Sequence, residues 1–142
     1  MKKYELTDET LRVDGHLLHR IKALRPFGYV EQGEVGGWIE SESNLSYYGD
    51  CWITGDAKVY GNARVSGDAQ VYGDAKVYGN AKILGDAQVY EDAEVYDNAQ
   101  VYGEAEVCGT AEVSGNTRVF GDTIIRNMGD YRDYRIWSNR QP

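Results

Sequence analysis

Between residues 53 and 125, Val or Ile returns every six residues without a miss, at 53, 59, 65, 71, 77, 83, 89, 95, 101, 107, 113, 119 and 125. Six matches neither the 3.6-residue period of an amphipathic helix nor the two-residue period of a half-buried strand. It is the hexapeptide period of a parallel β-helix, in which each short strand turns a corner into the next. Counting the Val or Ile as position 1, the hexad reads V-Y-G-D-A-K with small variations, and Ala holds position 5 from Ala57 to Ala111 before Thr117 and Thr123 replace it. Positions 5 and 1 are two residues apart on one strand, so both point inward and leave a narrow interior. Gly at position 3 and Asp or Asn at position 4 suit a corner, where positive φ is needed.

A second regularity counts the corners. Asn takes position 4 at 62, 80, 98 and 116, a spacing of eighteen. The other two position-4 columns are Asp50, Asp68, Asp86, Glu104, Asp122 and Asp56, Asp74, Asp92, Thr110. Three hexads therefore close one turn of a triangular prism. With rungs ~4.8 Å apart, about five coils over residues 35–125 make a rod on the order of 24 Å tall, whose ends must be covered.

The segments flanking the repeat supply the covers. Residues 1–34 hold the strongest hairpin signal, Asp14-Gly15 between the apolar arms Leu11–Val13 and His16–Leu18. Pairing Val13 with His16 puts His16 on a face with Leu11 and Leu18, and His19 on the other with Leu17 and Ile21, so the two histidines form no metal pair. Val35 and Ile39 stand in hexad register, and the coil is expected to start there. Residues 126–142 carry four arginines, two aspartates and the aromatics Tyr131, Tyr134 and Trp137. This basic tail reads as a C-terminal cap over the last coil edge. Alternatively Arg126, Tyr131, Arg132, Tyr134, Arg135 and Trp137 form an oligomer contact with the acidic body of another subunit, in a homodimer or homotrimer.

Hexads such as Val71-Tyr-Gly-Asp-Ala-Lys-Val-Tyr-Gly-Asn-Ala-Lys82 resemble those of the hexapeptide-repeat left-handed β-helix proteins, over about two thirds of the chain. The lead-in Gly36-Gly37-Trp38-Ile39-Glu40-Ser41-Glu42, with Asn44-Leu45-Ser46 and Gly49-Asp50-Cys51-Trp52, resembles a group of bacterial and phage repeat proteins whose coils read "VYGNA". The first resemblance implies an all-β fold, a single-stranded left-handed parallel β-helix. It also brings in the hexapeptide acyltransferases, trimers that use a coil-borne His as general base. Here no repeat residue is His, since both histidines lie in the N-terminal hairpin. A zinc hydratase site needs three His ligands. The expectation is thus no catalytic residue, no metal and no cofactor, with the acyltransferase kept as an alternative.

Charge and aromatic placement point elsewhere. The net charge is −8, and between Ile83 and Thr117 there are eight acidic residues and no Lys or Arg. Corner chemistry accounts for Asp86 and Asp92. It does not account for Glu91 and Asp97, which replace the usual Gly, or for Glu94, Glu106 and Glu112, which stand at position 6 where other coils use Lys58, Arg64, Lys76 and Lys82. Tyr fills the outward position 2 in ladders of eighteen: Tyr60, Tyr78, Tyr96; Tyr72, Tyr90; and Tyr48, Leu84, Tyr102, Phe120 interrupted by Ser66. Stacked tyrosines shield strands, but tyrosine beside acid also marks protein-binding surface. The leading reading is a non-catalytic protein-binding module that uses Tyr90, Glu91, Glu94, Tyr96, Asp97, Tyr102, Glu104, Glu106 and Glu112 against a basic protein surface. A negative field of this kind imitates a nucleic-acid backbone, so the partner is expected to be a nucleic-acid-binding host protein rather than nucleic acid, and the phage resemblance implies a counter-defence inhibitor. The alternative is a self-assembling structural rod. No apolar run is long enough to span a bilayer, and the expected compartment is the cytoplasm. Cys51 and Cys108 lie about three coils apart, ~15 Å, beyond disulfide reach. Cys51 takes an inward place and Cys108 an outward one.

Overall fold

The structure, a computed structural model, describes residues 2–126 together with the backbone strands Asp130–Arg132 and Arg135–Ser138. It is a three-sided, left-handed β-helix, because a corner every six residues leaves strands of mostly two residues. The first face stacks Val35–Ile39 (called β3), Lys58–Val59, Lys76–Val77, Glu94–Val95, Glu112–Ser114 and Asp130–Arg132, all parallel from β3 onward. The second face stacks Arg64–Val65, Lys82–Ile83, Gln100–Val101, Arg118–Gly121 and Arg135–Ser138. The third stacks Trp52–Ile53, Gln70–Val71, Gln88–Val89, Glu106–Val107 and Ile124–Ile125.

Inside, the Val/Ile column and the Ala column are almost wholly shut off from solvent, and Thr117 is buried in the last stretch where Ala gives way. Backbone N–H groups donate from each coil to the next, as from Tyr78 to Val95 (3.0 Å) and Asn80 to Asp97 (2.7 Å). The corners need glycine for two reasons at once. At Gly67 φ is 66°, and a Cβ would sit 3.0 Å from the Gly85 nitrogen of the next coil.

The N-terminal strands β1 (Tyr4–Val13) and β2 (His16–Ala23) form the expected hairpin, with Val13 opposite His16 and positive φ at Asp14 (51°) and Gly15 (82°). It is longer than its tip, and β2 pairs antiparallel with β3, so the hairpin extends the first face. At its root Tyr4, Ile21, Ala23, Phe27 and Val30 join Trp52 over the open end of the core. Lys3 pins this cover: fully buried, its Nζ donates to the Cys51 carbonyl at 2.8 Å, lies 3.4 Å from the Cys51 Sγ and stands over the Phe27 ring. Burial pulls the Lys3 amine below its ordinary value and pushes the Cys51 thiol above its own.

The first coil departs from the expected register. Ile39 pairs with Val59 and Leu45 with Val65, twenty residues apart rather than eighteen. Val35 is 54% exposed and pairs with Lys22 of the hairpin, so it is no part of the core, and the coil begins at Trp38-Ile39. Two extra residues between Leu45 and Ile53 bulge out around Tyr47-Tyr48, leaving Tyr48 85% exposed and outside the ladder assigned to it. At the other end, coil pairing runs on past Ile125. The strands at 130–132 and 135–138 cover the edges of two faces in parallel register, Tyr131 against Val113 and Trp137 against Phe120. Tyr134 lies outside the described residues, and the oligomer reading of the tail is untouched by this.

Candidate binding faces

The outward positions give each face its own chemistry. Position 6 of the first face reads Lys58, Lys76, Glu94, Glu112 up the rod; the second reads Arg64, Lys82, Gln100, Arg118; the third reads Gln70, Gln88, Glu106, Ile124. The coil runs from the third face round a corner to the first, then to the second. Seven of the nine predicted acid and tyrosine residues therefore lie side by side: Glu106 on the third face, Tyr90 and Glu91 at the corner, Glu94 and Glu112 on the first face, Tyr96 and Asp97 at its far corner. Tyr102 and Glu104 lie on the other side of Glu106, at the corner between the second and third faces.

The tyrosine ladders are real stacks. Tyr60, Tyr78 and Tyr96 follow at 5.1 and 5.0 Å, Tyr72 and Tyr90 at 4.9 Å, Tyr102 and Phe120 at 5.2 Å, every pair within 5° of parallel. Their hydroxyls reach up one coil to the position-6 side chain sixteen residues on: Tyr78 donates to Glu94 (3.1 Å), Tyr90 to Glu106 (2.6 Å), Tyr96 to Glu112 (3.2 Å) and Tyr72 to Gln88 (2.9 Å). Position 6 is thus not indifferent to the fold where it is Glu or Gln, since it accepts a phenol there and Gln does so as well as Glu; Lys76, sixteen residues after Tyr60, shows that a base is tolerated where the tyrosine bonds elsewhere. Tyr78 is held well above the usual phenol range by burial and then by Glu94, Tyr90 by its bonds to Glu106 and Cys108. Cys108, expected outward, is 3% exposed beside Tyr90, and both cysteines are free thiols.

Glu91 and Asp97 hold φ of 58° and 57°, a left-handed backbone costly for anything but glycine. Their carboxylates accept the N–H of the corner glycine one coil on, Gly109 at 2.9 Å and Gly115 at 3.0 Å. Charge-assisted bonds of this kind offset the backbone strain.

The hairpin histidines are placed for docking. His16 Nδ1 lies 3.0 Å from Glu40, its ring packs tilted against Tyr60 with centroids 5.0 Å apart, and Tyr60 donates to Asp14. Burial pushes the Glu40 carboxyl up, yet the bonds from His16 and the Gly61 N–H outweigh it and hold the group below its usual value. His19 Nδ1 faces the Thr7 carbonyl. Among the described residues no cluster of three or more His, Cys, Asp or Glu is arranged to hold a metal, and no helix is long and apolar enough to cross a membrane.

One site escaped the sequence reading. A cleft of about 460 Å³ opens on the second face between Arg64, Ser66, Lys82 and Leu84 and the bulge carrying Tyr48. Its signal was the Ser66 gap in the third ladder, read only as an interruption.

Residues 57–73 match the family model of the YdcK β-solenoid repeat. The chain is also similar to a protein of Escherichia coli K12 named "Uncharacterized acetyltransferase YdcK", 39% identical over 61 residues that cover 37% of this chain. The match spans 19% of that relative's length.

Proposed function

We propose, for a chain that belongs to the hexapeptide-repeat β-helix proteins, that its coils are a non-catalytic binding rod whose acid and tyrosine grip a basic protein surface. The observation that carries this is Glu94 beside Glu112, in register on adjacent rungs of the first face. Like charges so placed destabilise a sheet, and a cation from outside relieves them. Each carboxylate is already oriented by a tyrosine hydroxyl, so little side-chain freedom is lost on binding. Glu106 and Glu91 continue the same negative surface round the corner. The partner we infer is a nucleic-acid-binding protein; that it is the host target of a phage counter-defence inhibitor rests on the resemblance of the lead-in segment alone. The His16–Glu40 pair, in this reading, docks the hairpin and does no acid–base work.

Affinity capture from nuclease-treated bacterial lysate tests it. A basic protein retained at low salt and released as salt rises supports the rod as a binder; no retained protein, or retention indifferent to salt, counts against it.

A second reading is favoured by the order Lys58, Lys76, Glu94, Glu112, which is self-complementary. A two-fold pairing of first faces sets each Lys of one copy against a Glu of the other, as an isologous interface requires. Light scattering across salt concentration decides whether the rod dimerises in this way.

A further inference from the structure

The second face carries two consecutive rungs with no ring at the outward position. Its outward column after each strand follows the pairing of Leu45, Val65, Ile83, Val101 and Val119, and so reads Ser46, Ser66, Leu84, Tyr102, Phe120. On the neighbouring faces the same position stacks tyrosines from Tyr60 to Tyr96 and from Tyr72 to Tyr90 at rung spacing. Two consecutive rungs here carry serine instead. The corner does not demand it, since Tyr72 precedes Gly73-Asp74 just as Ser66 precedes Gly67-Asp68. Over these rungs lies the cleft of about 460 Å³, within the range of small-molecule sites; Glu42 also lines it, its carboxylate paired with Lys2 at 3.1 Å. The two-residue bulge raises Tyr48 as its wall, and Leu84 closes it from the next coil.

Beside the gap, Arg64 and Lys82 are exposed and stand in register on adjacent rungs, two like charges that an anion between them would relieve. Arg64 and Ser66 lie two residues apart along the same strand, about 6.6 Å. That is the reach from a ring to an anionic group it bears.

We propose that this cleft binds a small heteroaromatic monophosphate. The flat ring takes the rungs vacated by the serines, between Leu84 and the Tyr48 wall, as a tyrosine ring does in the intact ladders. The Ser46 and Ser66 hydroxyls meet polar atoms at its edge. The phosphate lies on the Arg64 guanidinium, whose fork suits two of its oxygens, and on the Lys82 ammonium. A nucleoside monophosphate has this chemistry, with the anion and ring both needed.

Isothermal titration of the full chain with AMP, UMP, phenyl phosphate, adenosine and inorganic phosphate tests it. At least one ring-bearing phosphate is expected to bind with Kd below about 1 mM and at least tenfold more tightly than adenosine or inorganic phosphate. Ser66→Tyr restores the residue that other coils carry, so its Tm is expected to hold or rise while binding falls at least tenfold. The double variant Arg64→Gln with Lys82→Gln removes the anion contacts without touching the gap and is expected to lose binding equally. No saturable binding by any ring phosphate, binding of inorganic phosphate as tight as theirs, or wild-type affinity in Ser66→Tyr each overturns the proposal.

Discussion

From Lys58 onward the first and second faces repeat the same short parallel strands and differ in what their outward positions do with one another. On the first, Tyr78 and Tyr96 stack and reach up to Glu94 and Glu112, so ring and acid are interlocked along the rod. On the second, serines hold the two lowest rungs below Leu84, Tyr102 and Phe120, the cations Arg64 and Lys82 stand beside them, and a cleft lies there. The difference teaches that a β-helix can close a face or open it by one residue per coil, because the core beneath is indifferent to position 2.

Making the first face like the second should have the largest effect. Tyr78→Ser removes two ring stacks and the bond to Glu94, with an expected loss of about 2–3 kcal/mol and a fall in Tm on the order of 10 °C, read by thermal melting.

Alkali probes the same interlock. Burial holds the phenols of Tyr72 and Tyr78 above their ordinary value of about 10, and burial with the bond to Glu42 pushes Tyr47 to about 12. The folded values are raised, so this contribution is complete below pH 10 and fades as pH climbs through the folded values. Stability from denaturant titrations should fall above pH 10, and phenolate absorbance should rise in step with unfolding rather than before it. Early ionisation of the ladder tyrosines would break the comparison.

The corner acids should move stability little. Glu91→Gly relieves the strained φ and deletes the bond to Gly109, two terms of opposite sign with a net change under about 1 kcal/mol. Smallest is the reverse exchange, Ser66→Tyr, expected to gain about 0.5–1 kcal/mol as the second face closes.

Much of this was legible in the sequence, and the exceptions have physical reasons. The six-residue apolar period and the eighteen-residue Asn column fixed the prism, its core and its corners, because interior volume and positive φ admit few residue types. The start of the coil was not legible. Val35 and Ile39 match the hexad by coincidence, and a two-residue bulge that pairs Leu45 with Val65 leaves no mark in a pattern that becomes regular only at Ile53. The ladders were readable, but the bond from each tyrosine to the residue sixteen later was overlooked. That spacing is one coil less two residues of strand, so Glu94, Glu106 and Glu112 have a structural partner that charge counting missed. The grouping of seven of the nine acid and tyrosine residues follows from the order of faces; Tyr102 and Glu104 needed the corners to be placed before they fell on the other side of Glu106.

The most direct test separates the structural role of those three glutamates from a binding role. Gln88 accepts the Tyr72 hydroxyl at 2.9 Å, so Glu94→Gln, Glu106→Gln and Glu112→Gln together keep every tyrosine bond while removing three charges. Capture of the lysate partner, measured beside the melting curve, is predicted to show an unchanged or slightly raised Tm and loss of the partner. An unchanged Tm with the partner retained would contradict the account, leaving the acid of these coils as ladder chemistry alone.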